Sequence, residues 1–524
     1  MDVFNTTSFD NAVTDRQDPS TSSWYVVASC ATVAILSLFL MRDRTTKLPY
    51  LNPKKPFEWS SARAAQEIIL NARNLMYLSA NSLLGKPFRV LGDVGDVIIL
   101  PPDVGQEIRN DKRFSFTQGL ADDFQAHYSG FEPYKEACDP AERLQNVVKL
   151  RLTKTLGTSS PCKITSILSQ EADMVIKNTL TDSKDPHDLV LKEVVLDVVS
   201  RLSGRIFVGE RLGRNDEWLH TVINYVETSV FAMQDMRKWP EFLRPIVAWF
   251  LPRTRLLRAY IRDAEKHVFA EIKRRKEESP SVEYLDGITW FEEMAKGQKY
   301  NPAVGQLMLA SVAVHTTADL VCQAMYDILQ HPELIQPLRE EVIRVIGEGG
   351  WKKTSLHNMK LMDSVLKESQ RLKPNQIVGM NRKTVEDIQL PDGTFLARGA
   401  SIVVSAERMW DPKVYSNPLD FDGYRYFKER GGPNDAVSQL VSTSTSHMGF
   451  GHGMHSCPGR FFAGNEAKVI LAHFLLKYDF EFAENQTPKY MEYGFTCESD
   501  STVKVSVRRR KEEIDLSVQD PQAE

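Results

Sequence analysis

The chain has 524 residues, of which 42% are hydrophobic, and its 65 basic and 69 acidic side chains leave a net charge of -4. This length allows a large buried core and, at roughly 150 residues per domain, about three domains. The balanced charge lacks the basic excess expected of a nucleic-acid-binding protein. Six cysteines are scattered along the chain without a C-x-x-C pair, which excludes a dense disulfide scaffold and favours reduced thiols.

The first element in chain order is an uncharged apolar stretch at residues 24–41. A helix needs about 20 such residues to span a bilayer, with about 17 as the lower bound. Trp24 and Tyr25 supply interfacial aromatic side chains at one end. Basic residues follow at once, at Arg42, Arg44 and Lys47. The pattern predicts a single transmembrane anchor, with residues 1–23 in the lumen and everything after it in the cytoplasm.

A cleaved secretory signal is the alternative for this stretch. It would need a basic leading segment and a small-residue cleavage site, whereas residues 1–23 carry several aspartates and a single basic residue, Arg16. We therefore expect an uncleaved anchor. The sequon at Asn5 would lie on the lumenal side, where it is a candidate glycosylation site.

The remaining chain is expected to be a helical body. Residues 42–56 are rich in proline and predict a hinge after the anchor. Apolar spacing predicts a mainly α body with small β-sheets over residues 57–510. The clearest helices are predicted at 189–202, 256–276 and 302–330. Strands are predicted at 94–100, at 388–404 with a turn at 391–393, and at 501–507. The acidic residues 511–524 are predicted to be a disordered tail.

Cys457 is the one cysteine with an informative neighbourhood, FGHGMHSCPGR at residues 450–460. Glycines let the backbone bend close to a flat partner, and Pro458 favours the start of a helix. The N–H groups of that helix would then point at the sulfur, which suits a single soft ligand to iron. The alternative is a buried structural cysteine at a junction between a loop and a helix.

The wider segment resembles the haem-binding signature of the cytochrome P-450 family, F-x-x-G-x-R/H-x-C-x-G. Phe450, Gly453, Cys457 and Gly459 stand at its fixed positions. The resemblance implies the P-450 fold, a single catalytic domain over residues 57–510, and haem b with the Cys457 thiolate as axial iron ligand. His455 stands where many members have an arginine that pairs with a haem propionate.

A second resemblance lies at Glu368 and Arg371, which are three residues apart and therefore share a helix face. The family has an E-x-x-R motif here that forms a buried triad with a downstream arginine, for which Arg425 is the candidate. The triad would have a structural role behind the haem. Without the resemblance, the pair would be interpreted as a surface ion pair of little energetic value.

The segment LASVAVHTTADL resembles the family's oxygen-binding helix, A/G-G-x-D/E-T-T/S. Thr316 and Thr317 match, while Ala313 replaces the usual glycine and His315 replaces the acid. The resemblance implies that Thr316 assists oxygen activation and proton delivery. His315 either relays protons, since its ordinary pKa is about 6.5, or faces away and only packs. Thr316 could also be a back-bonded threonine that bends the helix.

Further cations are expected around the haem propionates. Arg382 resembles the family's strand arginine, and either Lys149 or Arg151 would take the cationic role on an earlier helix. Aromatic residues are expected to line an apolar substrate pocket or, equally, to pack in the core. The candidates are Phe116, Phe124, Tyr128, Phe131, Tyr493 and Phe495.

The resemblance is to fungal microsomal members, and it implies a monooxygenase that uses O2 and electrons from NADPH to oxidise a lipophilic terpenoid, meroterpenoid or prenylated alkaloid. Because no flavin or nicotinamide domain is recognisable, an NADPH–cytochrome reductase in the endoplasmic reticulum membrane is the expected partner. Candidate docking lysines are Lys149, Lys154 and Lys468. The alternatives are a haem-thiolate isomerase or dehydratase that needs no external electrons, and a non-enzymatic haem sensor.

Overall fold

A computed structural model of the chain describes residues 29, 32, 47–58, 60–82, 85–157, 163–278 and 283–516. The predicted lumenal segment 1–23 with its sequon at Asn5, and all of the predicted anchor 24–41 except two residues, lie outside the described part. Among the described residues, the helix Pro302–Gln330 is long and apolar enough to cross a membrane, but most of it is buried within the protein.

The described chain is mainly helical, as predicted. Its α-helices in chain order are α1 (Ala62–Ser82), α2 (Pro102–Ile108), α3 (Phe116–Asp123), α4 (Glu132–Ala137), α5 (Arg143–Asn146), α6 (Thr153–Gly157), α7 (Lys163–Leu180), α8 (Leu191–Phe207), α9 (Gly209–Gly213), α10 (Asp216–Arg237), α11 (Arg244–Phe250), α12 (Pro252–Glu277), α13 (Gly287–Ala295), α14 (Pro302–Gln330), α15 (Ile335–Gly349), α16 (Lys353–Asn358), α17 (Lys360–Leu372), α18 (Asp435–Ser438) and α19 (Arg460–Lys477). A π-helical segment, Val147–Leu152, joins α5 to α6, and short 3-10 turns occur elsewhere.

The strands form small sheets. They are β1 (Phe88–Gly92), β2 (Gly95–Leu100), β3 (Phe114–Ser115), β4 (His187–Val190), β5 (Val378–Thr384), β6 (Ile388–Gln389), β7 (Phe395–Leu396), β8 (Ser401–Ser405), β9 (Tyr478–Phe482), β10 (Met491–Tyr493), β11 (Thr496–Glu498) and β12 (Lys504–Arg509). One sheet has the order β1-β2-β8-β5-β3, another β4-β12-β9, and β6–β7 and β10–β11 are two-stranded. The predicted strand pair around residues 391–393 is therefore present.

Helix α14 is the centre of the helical core. Asn301 caps its N-terminus by accepting a hydrogen bond from the Ala303 N–H, and Pro302 occupies the first helical position. Helix α14 has the predicted bounds 302–330. Apolar residues surround the helix on nearly every side, so it is buried among α8, α12, α17 and α19.

The prediction of a disordered tail beginning at residue 511 is wrong for residues 511–516. The Leu516 side chain is buried, and its carbonyl accepts a hydrogen bond of 2.8 Å from the indole N–H of Trp351. The Ser169 hydroxyl donates a second bond to the same carbonyl. Two acidic residues of this segment form ion pairs, Glu512 with Arg509 and Glu513 with Arg510.

Candidate active site

The loop before α19 is folded tightly around Cys457. Its backbone N–H donates to the Phe450 carbonyl at 2.8 Å, which closes the loop. Gly451 and Gly453 have φ angles of +69° and +79°, a region that favours glycine. A Cβ on Gly453 would lie 2.4 Å from the carbonyl oxygen of Arg109. The loop therefore requires glycine at 453 both for its backbone angle and for its close contact.

The sulfur of Cys457 lies at the N-terminal end of α19. Burial raises the pKa of its thiol, while the backbone N–H groups of Gly459 and Arg460, which hydrogen-bond the sulfur, and the Arg460 guanidinium lower it. In the protein alone burial dominates, so the pKa of the thiol is raised. A coordinated metal cation removes the thiol proton outright, so the setting suits a metal ligand better than a free thiolate.

Arg382 lies on β5 within reach of the cysteine loop. Its side chain is only 3% exposed, its Nη1 donates to the neighbouring Asn381 carbonyl, and its Nη2 is buried with no hydrogen-bond partner among the described residues. Burial lowers the pKa of Arg382 to about 10. An uncompensated guanidinium is costly in a protein interior. The geometry therefore calls for an anionic group at this position.

His455 and Phe116 lie next to Arg382, and these three residues together are called the cationic corner. The Phe116 ring stacks on the His455 ring at 5.2 Å, and the Arg382 guanidinium lies 5.4 Å from the Phe116 centroid. Burial, then the positive charge of Arg382, lower the pKa of His455 to about 4. With this pKa His455 is neutral near pH 7, and its ring N–H can act as a hydrogen-bond donor.

The structure distinguishes between the two candidate cations on the π-helical segment. Lys149 is exposed, and its charge contributes to the lowered pKa of His455. Arg151 instead forms an ion pair with Glu293 of α13, with Nε and Oε2 2.7 Å apart. Lys149 is therefore the residue of this pair that remains available to the corner formed by Arg382 and His455.

Glu368, Arg371 and Arg425 form a contiguous triad. Arg371 donates to both carboxylate oxygens of Glu368 at 2.8 Å, and Arg425 Nε donates to Oε1 of the same carboxylate at 2.9 Å. Arg371 also donates to the carbonyls of Met409 and Pro418. Glu368 and Arg371 are fully buried. The interpretation as a surface ion pair is therefore wrong.

The middle of α14 differs from the rest of the helix because two side chains one turn apart are exposed. Val312 is 46% exposed, and Thr316 is exposed while its hydroxyl donates to the Val312 carbonyl at 2.9 Å. Thr317 points the other way and is buried. Of the two threonines, Thr316 is therefore the one positioned to meet a ligand, in the back-bonded conformation expected for a helical threonine.

His315 is half-buried, and its Nε2 is enclosed without a hydrogen-bond partner among the described residues. Burial, then the ammonium of Lys192, lower the pKa of His315 to about 4, while Asp319 opposes the shift. The lowered pKa removes the reason that the ordinary pKa gave for a proton relay at His315, and the choice between relay and packing stays open. Lys192 and Asp319 were not singled out in the sequence, although Asp319 lies within the quoted helix segment.

The aromatic residues predicted to line a pocket are not one group. Phe116 belongs to the cationic corner, Phe124 stacks on Tyr134 at 4.7 Å, and Phe131 is fully buried in the main core. Tyr128 and Phe495 are half-buried, and Tyr493 is 47% exposed. Of the two expectations for Phe131, pocket lining is therefore wrong and core packing is confirmed.

Lys468 is not a surface lysine. It is buried, and its ammonium lies 2.5 Å from Oδ1 of Asp363 and donates to the Leu356 carbonyl at 3.0 Å. The prediction that it contacts a partner protein is wrong. The sequence held a signal for this, because apolar residues surround position 468 on every side of α19 and indicate a fully buried helix. Lys154, by contrast, is exposed.

Comparison with known proteins identifies the family of this chain. The model of the family described as "Cytochrome P450" matches residues 92–502. Cytochrome P450 monooxygenase 1 of Gibberella fujikuroi is 43% identical over 439 residues, covering 82% of this chain and 99% of the relative. This chain belongs to the cytochrome P450 family. Cytochrome P450 monooxygenase hepE of Aspergillus oryzae is also 43% identical, over 92% of this chain and 89% of its own length.

The fold agrees with this membership. The crystal structure of the cytochrome P450DA heme domain superposes with a TM-score of 0.65 over 89% of this chain and 98% of that chain, at 16% identity. The predicted P450 fold is therefore confirmed, and the chain is a monooxygenase of this family, an oxidoreductase that incorporates oxygen.

The residues of this P450 fit haem. The Cys457 sulfur at the N-terminus of α19 would bind the iron, and the unpaired Nη2 of Arg382, with Lys149 and the N–H of His455, would supply donors to the two propionates. When bound, haem would supply the iron for oxygen activation, with thiolate donation favouring O–O cleavage. Thr316 on α14 is the exposed hydroxyl that would serve that chemistry.

Proposed function

We propose that this P450 hydroxylates or otherwise oxidises a lipophilic secondary metabolite in a fungal pathway, with electrons from NADPH delivered by a membrane-bound reductase. The candidate substrate classes are terpenoids, meroterpenoids and prenylated alkaloids. The observation that carries the proposal is a Cys457 sulfur held at the start of α19, together with a helix α14 that exposes the Thr316 hydroxyl. The fungal monooxygenases among the relatives support the pathway assignment.

The site residues have separate roles in this proposal. Cys457 ligates the iron, and the Phe450 carbonyl and Gly453 hold the loop that presents it. Arg382, His455 and Lys149 bind the propionates. The Thr316 hydroxyl donates to the Val312 carbonyl and would accept a hydrogen bond at the oxygen site, while Thr317 packs on the buried side of the helix.

The central experiment is expression with a fungal reductase, feeding with lipophilic precursors under 18O2, and mass analysis of products. A mass gain of one 18O atom supports the monooxygenase. Cys457→Ser should abolish both the gain and the carbon-monoxide absorption typical of thiolate ligation. Cys138→Ser is the matched control, because Cys138 is a free half-buried cysteine away from the loop. Conversion without NADPH or O2 would favour the isomerase, and ligand binding without product would favour the sensor.

The membrane topology is a separate part of the proposal. A single anchor at 24–41, with basic residues after it, supports placement in the endoplasmic reticulum membrane with the catalytic domain in the cytoplasm. Attachment of a glycan at Asn5 would place the N-terminus in the lumen. An endoglycosidase-sensitive mass that is absent in Asn5→Gln is the expected result, and protease protection of the catalytic domain in sealed microsomes would contradict it.

The reductase is proposed to dock near the cysteine loop, where Lys149 and Lys154 are exposed on consecutive turns. Lys154→Glu should slow reductase-driven haem reduction and lose that effect at high salt, since exposed charges are screened. Lys273→Glu on α12 is the control, because its ammonium is also largely exposed. Equal reduction rates for the two variants would reject Lys154 as a docking residue.

A further inference from the structure

A short segment of the chain, residues 437–442, links α17 to the start of α19 through hydrogen bonds. On the α17 side, the ammonium of Lys367 donates to the carbonyls of Val437 and Gln439 at 2.7 and 2.8 Å, and to that of Ser442 at 3.5 Å. Lys367 is only 1% exposed. An ammonium has three N–H donors, so this one segment can satisfy all of them.

On its other side the segment contacts α19 beside Cys457. Nε of Arg460 donates to the Val441 carbonyl at 3.0 Å, and Nη1 of the same guanidinium donates to the Cys457 carbonyl at 2.8 Å. The segment also packs against the helix itself, because a Cβ on Gly464 would lie 3.3 Å from the Leu440 side chain. The Arg460 guanidinium therefore joins the segment to the backbone of the proposed iron ligand.

A second side chain of α17 fixes the middle of the segment. Oδ2 of Asp363, one turn before Lys367, accepts a hydrogen bond of 2.8 Å from the Leu440 N–H. One backbone group in each of residues 439–441 is thus bound by a side chain of α17 or α19. The position of the carbonyl that Arg460 binds therefore depends on α17.

The charge of Arg460 acts on the Cys457 sulfur. Burial raises the pKa of the thiol, and the Arg460 guanidinium is among the groups that oppose this effect. A positive charge beside an iron ligand favours the reduced state of the metal, and groups around the ligands tune the reduction potential in this way. The strength of the effect depends on the distance between the charges. Contacts that fix Arg460 therefore bear on the iron that Cys457 would bind.

We propose that Lys367 is a positioning residue for the cysteine ligand: through residues 437–442 it holds Arg460 against Cys457 and so raises the ferric–ferrous potential of the bound haem. This inference rests on the proposed function, because it takes Cys457 as the iron ligand. In this role Lys367 acts through Arg460 and not by contact with haem or substrate.

The test is a double-variant cycle on the haem-loaded enzyme, with the ferric–ferrous midpoint potential as the readout. Arg460→Met removes the charge and should lower the potential. Lys367→Met releases the 437–442 segment and should lower the potential by a smaller amount. In the Arg460→Met background, Lys367→Met should cause no further shift, because the residue acts through Arg460. A shift that persisted there would overturn the proposal, since it would come from the Lys367 charge itself.

Ser364→Ala is the matched control for a merely structural role. Ser364 is also buried on α17, and its hydroxyl makes three hydrogen bonds to backbone groups outside the 437–442 segment. The partners are Gly423, Tyr426 and Phe427. This variant should lower the unfolding temperature and leave the potential unchanged. Amide hydrogen exchange across residues 437–442 should rise in Lys367→Met and not in Ser364→Ala. Equal potentials in these two variants would overturn the proposal.

The inference and the proposed function fail in different ways. Absence of the carbon-monoxide absorption of thiolate-ligated haem from the wild-type protein would reject both. Wild-type absorption together with an unchanged potential in Lys367→Met would reject only the role of Lys367. If Lys367→Met does not take up haem, Lys367→Gln, which also removes the ammonium, provides the same comparison.

Discussion

Arg371 donates hydrogen bonds to both carboxylate oxygens of Glu368, each 2.8 Å long, and neither side chain is exposed. Arg425 donates to the same carboxylate. Glu368→Gln would leave two guanidinium groups without their anion in a buried setting. Breaking such a pair from one side costs about 3–5 kcal/mol. We expect loss of haem-loaded protein on expression and, in any protein recovered, a lower urea midpoint.

The control for this prediction is Glu277→Gln on α12. Glu277 forms an ion pair with Lys273 in which both side chains are mostly exposed. Such pairs contribute about 0–1 kcal/mol. If Glu368→Gln matched Glu277→Gln in haem content and urea midpoint, the triad would not stabilise the haem-loaded fold.

Gly453→Ala should prevent correct closure of the cysteine loop. The φ angle of +79° disfavours alanine, and the added Cβ would lie 2.4 Å from the Arg109 carbonyl. We expect the carbon-monoxide absorption of thiolate-ligated haem to fall severely. Gly393→Ala is the control for backbone strain without a steric clash. Gly393 has a φ of +86°, but no atom lies within 4 Å of the added carbon. That variant should keep its haem and lose about 1 kcal/mol. Equal haem loss in both would refute the collision argument.

The cysteine loop and the Glu368–Arg371 pair were predictable because their signals are local. The positions from Phe450 to Gly459 lie within ten residues, and Glu368 and Arg371 are three apart on one helix. The partner of Arg371 on the other side, the carbonyl of Pro418, was not predictable, since it depends on how a distant segment folds back.

Other features depended on contacts between distant parts of the chain. Lys192 and Asp319 are 127 residues apart and meet only because α8 packs along α14. The unpaired Nη2 of Arg382 and the neutral state of His315 follow from burial, which composition does not reveal. The wrong prediction for Lys468 has the same cause. Its ammonium forms a buried ion pair with Asp363, which lies in a distant part of the chain.

Glu466 on α19 should make stability depend on pH. It is fully buried, Ser203 donates to its Oε1 at 2.8 Å, and burial raises the pKa of its carboxyl from 4.5 to about 8. Between these values the folded protein keeps a proton that the unfolded chain releases. Stability therefore falls as pH rises from about 4.5 to about 8, by a few kcal/mol, and then levels off.

Glu466→Gln is neutral at every pH and keeps the acceptor for Ser203. It should unfold at higher temperature than wild type at pH 8–9 and approach wild type near pH 5, as followed by circular dichroism of the holoenzyme. A protonated carboxyl stretch in the infrared spectrum at pH 6 should vanish in this variant. An unchanged spectrum, or parallel stability curves for the two proteins, would show that Glu466 is ionised in the fold.

Residues 511–516 should stabilise α19, the helix that follows the cysteine loop. The Leu516 carbonyl accepts from the buried indole of Trp351, whose ring stacks on His473 of α19 at 5.6 Å. Ending the chain after Arg510 removes a buried leucine side chain and leaves the indole N–H without its acceptor. Losses of about 2–5 kcal/mol for the side chain and 1–3 kcal/mol for the N–H are expected. Ending it after Val518 keeps both contacts, with the Leu516 carbonyl still part of a peptide bond, and should give a higher unfolding temperature than ending it after Arg510. A similar unfolding temperature for the two truncations would show that residues 511–518 do not stabilise α19.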